Sequence, residues 1–224
     1  MACLIGIVVF IAVTVMMKES LRLDEAQSIW QTSHSLQGTL EVVAQDVHMP
    51  MYHILLHYWM VFFGTSVEAV RSMSLLFLIA CIPALYLLAR TILNRGWALV
   101  VITVFALSPF MNWYASEARM YTLLTLFAIL SQYFFVRILQ GKQGWGGYAL
   151  TAILGAYSHY FFMFTLAAQA IFYLFNRKQF KPGSLKRFIL TAGGVVVGIA
   201  PWIYYFISQG AASNTRPQLP TPST

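Results

Sequence analysis

Ionised side chains are scarce in this chain, and their placement suggests chemistry. Asp24 and Glu25 follow a first apolar segment, and Asp46 and His48 lie further along the same polar stretch. Glu117, Arg119 and Tyr121 cluster at the start of a later apolar run, and His159 sits inside another. A carboxylate at the depth of a membrane surface can take the proton of a substrate hydroxyl while a lipid-bound group is held at the same level. Arginine offers a permanent planar fork of donors that suits phosphate, and the first turn of a helix adds unpaired N–H groups and a positive dipole end. An arginine at membrane depth costs about 2.5–3.5 kcal/mol on insertion scales, so it needs a partner. For Arg119 the alternatives are an anionic ligand, an ion pair with Glu117, or a snorkel to the surface. Carboxylate, cation and lipid access in one cavity imply transfer chemistry on a lipid-phosphate substrate.

Other polar residues carry less. Glu19, Glu41 and Glu68 read as solvated surface charge. His53 and His57 are one helical turn apart, and with His48 and Asp46 they could converge on a divalent cation. No His-Glu-x-x-His pattern accompanies them, so no metal and no other cofactor is expected. Cys3 and Cys81 both lie in apolar runs and read as small core residues.

The elements that must position these residues are membrane helices. The 224-residue chain is 59% hydrophobic and only 9% charged, against about 25% charged in soluble domains. Its net charge of +7 comes from short basic clusters between apolar runs, the pattern of a topology signal, and nucleic acid is not an expected partner. Met1–Met17 is uncharged and reads as an anchor, since no small-residue cleavage site precedes Lys18. Further spans are expected between Arg71 and Arg90 with Pro83 inside, from Trp97 to a break or bend at Ser108-Pro109, over Met120–Val136, and over Phe188–Ile207. Gly193, Gly194 and Gly198 offer close helix contact in the last of these. The uncharged run from 143 to 176 would be about 51 Å long as one helix, too long for a hydrocarbon core of about 30 Å. It reads as a hairpin turning near Ser158-His159-Tyr160.

The expected fold is therefore an all-α, polytopic bundle of about seven transmembrane helices. Residues 1–210 form the transmembrane domain, an outer loop over 18–71 carries one or two short interfacial helices, and 211–224 form a Pro/Ser/Thr-rich tail without fixed structure. With the amino terminus cytoplasmic, nine of the fourteen Lys and Arg residues fall inside and all seven Asp and Glu residues fall outside, as the positive-inside rule demands. The absence of repeated halves and the scarcity of polar groups in mid-span argue against a transporter.

Several blocks together resemble the GT-C glycosyltransferases, in the bacterial branch akin to protein O-mannosyltransferases and aminoarabinose transferases. They are Arg22-x-Asp24-Glu25, then Asp46-x-His48-x-Pro50-x-Tyr52 with His57 and Gly64, then Ser108-Pro109, Glu117-Ala118-Arg119-Met120-Tyr121, and His159-Tyr160. The resemblance covers nearly the whole chain in order, and the Glu-Ala-Arg-Met-Tyr block is its most specific part. Met49 departs from it, standing where the family usually has a proline. The resemblance implies inverting transfer of a sugar from a polyprenyl-phosphate carrier to an acceptor on the outer face of a bacterial inner membrane. It makes Asp24 the catalytic base and assigns Glu25, Asp46, His48, Glu117, Arg119, Tyr121 and His159 to substrate binding. Family members continue through further helices, so the implied partners are membrane lipids and a carboxy-terminal half or a larger membrane complex. The competing function is a glycosyltransferase-like accessory subunit without catalysis.

Overall fold

The computed structural model describes residues 2–16, 19–46 and 48–213, and among them all regular structure is helical. The chain opens with α1 (Ala2–Met16) and then builds three short helices, α2 (Leu23–Thr32), α3 (Leu36–Gln45) and α4 (Pro50–Phe63). Longer rods follow: α5 (Val67–Ile92), the pair α6 (Arg95–Ala106) and α7 (Pro109–Ala115), and α8 (Tyr121–Leu139). The chain ends with α9 (Trp145–Ser158), α10 (Phe162–Asn176), a 3-10 turn (Arg177–Gln179) and α11 (Ser184–Ser213). The expected tail therefore begins inside α11, and its residues 214–224 lie outside the described part.

Local sequence sets most of these boundaries. Ser35, Ser66, Asn94 and Ser108 each accept a hydrogen bond from a backbone N–H three residues on, which satisfies one of the orphan donors of a first turn. Pro50 and Pro109 occupy first-turn positions, where no N–H is needed. Gly64 closes α4 with φ at +88°, a conformation that residues with a Cβ rarely adopt.

Among the described residues three helices are long and apolar enough to cross a membrane: α5, α8 and Ser184–Gln209 of α11. Counting the bent α6–α7 pair as a fourth, that is still fewer than the expected seven. Three shorter helices read as spans in the sequence, α1, α9 and α10, have 15, 14 and 15 residues, fewer than the roughly 17 that a full span needs. The break foreseen at Ser108-Pro109 is real, with α6 and α7 meeting at 58°. Proline cannot bond back to the preceding turn, and buried Asn112 donates instead to the carbonyls of Ala106 at 2.8 Å and Ser108 at 2.9 Å. The hairpin foreseen at residues 158–160 is also found, between α9 and α10. Of the three glycines proposed for close contact only Gly198 has it, packing on Ile153 with its carbonyl taken by the Tyr157 hydroxyl, whereas Gly193 and Gly194 face open space.

The main core gathers Tyr52, Leu56 and Met60 of α4 with residues of α5, α8, α9 and α11, so α4 is packed on the bundle. Hydrogen bonds fix the directions. Ser74 Oγ, near the start of α5, donates to the Arg119 carbonyl just before α8, and Gln140 just after α8 donates to the Thr91 carbonyl near the end of α5. The two long helices therefore run parallel, and α2, α3 and α4 cap the end of the bundle at which both begin.

Candidate active site

Two neighbours in sequence, Asp24 and Glu25, part company as soon as α2 forms, because side chains one residue apart on a helix face different ways. Glu25 turns inward and is 0% exposed. Arg71 of α5 meets it with a bidentate fork, Nε to Oε1 at 2.8 Å and Nη2 to Oε2 at 2.7 Å. The backbone N–H groups of Ala118 and Arg22 donate to the same carboxylate at 2.8 and 3.0 Å. Arg71 uses its remaining N–H groups on the carbonyls of Met16, Glu19 and Ser20, so its five donors all have acceptors. Burial pushes the Glu25 carboxyl up, but the Arg71 fork and the two amide N–H groups outweigh it and hold the group below the usual carboxylate range. This clamp ties the end of α1, the start of α2, α5 and the approach to α8 to one point. A second tie lies beside it, where the Arg22 guanidinium pairs with Glu117 and stacks 3.8 Å from the Trp113 ring.

Asp24 turns outward and is exposed, and among the described residues its carboxylate accepts no hydrogen bond. Arg119 lies against the same turn of α2, its Nη1 donating to the Asp24 carbonyl at 3.3 Å and to Ser28 Oγ at 3.2 Å. It forms no ion pair among the described residues, since Glu117 is held by Arg22 instead. Its Nε is buried without a partner among the described residues, an arrangement that ordinarily calls for an acceptor. Tyr121 lies beside it, with the Arg119 guanidinium 6.0 Å from the ring, and continues to Tyr114 at 4.4 Å and His159 at 6.1 Å.

His159 occupies the turn between α9 and α10, where its Nδ1 accepts the Phe161 N–H at 3.0 Å. That contact assigns the remaining ring proton to Nε2. Burial, with His48 and Arg119 nearby, lowers its pKa to about 4, so the ring is neutral at pH 7. The other wall is Asp46 and His48. Asp46 Oδ2 accepts from Gln27 and Gln31 of α2 at 2.6 Å each and stands 3.2 Å from His48 Nδ1. His53, 0% exposed, packs its ring 5.6 Å from that of His48, and burial lowers its pKa to about 4.

The structure therefore gathers Asp24, Asp46, His48, Arg119, Tyr121 and His159 at the end of the bundle capped by α2–α4, while Glu25 and Glu117 are engaged in the ties beneath. The possible metal cluster does not form: no group of three His, Cys, Asp or Glu residues suited to a metal occurs among the described residues, and His57 turns away to the Thr32 carbonyl at 3.0 Å. Sequence reasoning passed over Gln27, Ser28 and Gln31. With Asp24 they follow the i, i+3, i+4, i+7 pattern of one helix face, and that spacing was the available signal.

No curated protein and no solved structure is similar enough to be matched to the chain. A family model described as dolichyl-phosphate-mannose-protein mannosyltransferase matches residues 47–205, a stretch that takes in α4 to α10 and most of α11 and begins beyond Asp24, Glu25 and Asp46. The chain thus belongs to the dolichyl-phosphate-mannose-protein mannosyltransferase family, membrane glycosyltransferases of the GT-C type.

Proposed function

We propose that this protein transfers a sugar from a polyprenyl-phosphate carrier to a hydroxyl acceptor, with inversion at the anomeric carbon. The observation that carries the reading is that Arg119, whose Nε has no partner among the described residues, lies against the turn of α2 that carries Asp24, whose carboxylate accepts no hydrogen bond there. In the reaction the acceptor oxygen attacks C1 of the sugar as its proton passes to Asp24. The bond from C1 to the phosphate oxygen breaks, and the carrier phosphate leaves with the electron pair. A lipid phosphate needs a cation more than it needs an acid, and Arg119 supplies one that is already in place. Tyr121, His159 and His48 line the phosphate side, with both His159 ring nitrogens assigned at neutral pH. Asp46, anchored by Gln27 and Gln31, shapes the acceptor side. Glu25 and Glu117 act by positioning: they hold α2 and the 116–120 turn in register.

In this reading residues 1–210 make seven passes with the amino terminus cytoplasmic, the short α1, α9 and α10 completing the bundle. The capped end then faces outward from a bacterial inner membrane, and further helices, in the same chain or a partner, complete the cavity. An accessory role without catalysis would leave the free carboxylate beside Arg119 unused. The test is sugar transfer from polyprenyl-phosphate mannose in membranes containing the full chain, with the product anomer read by NMR. Wild type should give the anomer opposite to that of the carrier, and D24N should give about 10²–10⁴-fold less product. Retention of configuration, or equal rates for D24N and wild type, would refute the proposal.

A further inference from the structure

At the end of the bundle opposite this site, the last turn of α8 and the starts of α9 and α11 enclose a cleft of about 870 Å³, towards the upper end of the roughly 300–1,000 Å³ typical of ligand pockets. Four cations line it, Arg137, Lys142, Lys181 and Arg187, and no carboxylate does. None of the four has an ion-pair partner among the described residues. The chain nevertheless brings them together from two separate segments. Arg137 is fixed by donating to the Tyr133 hydroxyl at 2.8 Å and the Gln143 carbonyl at 3.1 Å. Lys181 is laid across Gly141, whose φ of +72° makes the turn after α8. Like charges facing each other across a cleft repel unless an anion lies between them. The start of α9 adds to the positive field, because its cap, Gly144, has no side chain to accept from the first turn.

We propose that this cleft binds the phosphodiester headgroup of an anionic membrane phospholipid. A lipid, as opposed to free phosphate, fits because the cleft opens where α8 and α11, both long enough to cross a membrane, reach their ends, and because Trp145 is of the type that settles at the membrane interface. Cations at such a boundary each strengthen binding of anionic lipid about fivefold. The site is separate from the transfer centre and does not depend on the reading given for it.

The experiment is native mass spectrometry of the full chain taken from nanodiscs of phosphatidylcholine containing graded phosphatidylglycerol. Wild type should retain phosphatidylglycerol in preference to phosphatidylcholine. K142Q/R187Q should weaken that retention about 25-fold, and K142Q/K181Q, which alters only two exposed lysines, should do the same if the first pair folds poorly. R90Q/R95Q removes as much charge from the same end but outside the cleft and should leave retention unchanged. Equal retention by wild type and both cleft variants, or equal loss in R90Q/R95Q, would overturn the proposal. Preferential saturation by inorganic phosphate in phosphatidylcholine discs would overturn the lipid assignment.

Discussion

Asp24 and Glu25 stand side by side in the chain yet belong to two regions built on opposite terms. The clamp around Glu25 and Arg71 is buried and fully hydrogen bonded, with every donor and acceptor matched. The rim around Asp24 and Arg119 is open, with an unengaged carboxylate and a buried Nε left over. A buried ion pair adds little net stability over an apolar pair of similar shape, but breaking one is severe because the survivor is left uncompensated. The clamp therefore fixes geometry, and the rim leaves polar groups without partners among the described residues.

The comparison breaks first, and with the largest effect, at Arg71. R71M leaves Glu25 buried without its cation and should destabilise the fold by about 3–5 kcal/mol, read as a lower unfolding midpoint in detergent. R71M/E25L should recover a good part of that loss. On the rim, R119Q should lower transfer about 10²–10³-fold while shifting the midpoint little, and R119K should restore it only in part because it lacks the fork.

Acid should act on the walls before the clamp. Buried neutral His53 has its pKa lowered to about 4, so the unfolded chain binds the extra proton between that value and about 6.5. Stability is thus complete above about pH 6.5 and falls as pH drops towards 4, by about 3 kcal/mol for a fully buried histidine. Glu25, whose pKa is lowered, gives way only at lower pH, when its carboxylate is protonated. Denaturation midpoints across pH 4–8 should show the slope, and H53L should reduce it, with His159, also lowered to about 4, supplying the remainder. The smallest effect is expected at Gln31, where Q31A removes one hydrogen bond to Asp46 and should cost about 0.5–1.5 kcal/mol, read as a several-fold change in acceptor KM.

The sequence exposed what depends on local pattern and length. The α9–α10 hairpin followed from the thickness of the hydrocarbon core, and the α6–α7 bend followed from Ser108-Pro109. The three capping helices were underestimated because α2 presents Asp24, Gln27, Ser28 and Gln31 on one face, and so polar a run reads as loop. Arg71 looked like a mere span boundary because its partner is 46 residues away, and single-sequence spacing carries no record of such a contact. The same blindness hid that the Glu25 oxygens are engaged by Arg71 and two backbone N–H groups.

The most direct test sets D24N beside E25Q, measuring sugar transfer and unfolding midpoint on the same preparations. D24N should lose transfer and keep the wild-type midpoint, whereas E25Q should lower the midpoint by several degrees and lose transfer only as far as it loses fold. Undiminished transfer by D24N, or a wild-type midpoint for E25Q, would contradict the division of labour between these two neighbouring carboxylates.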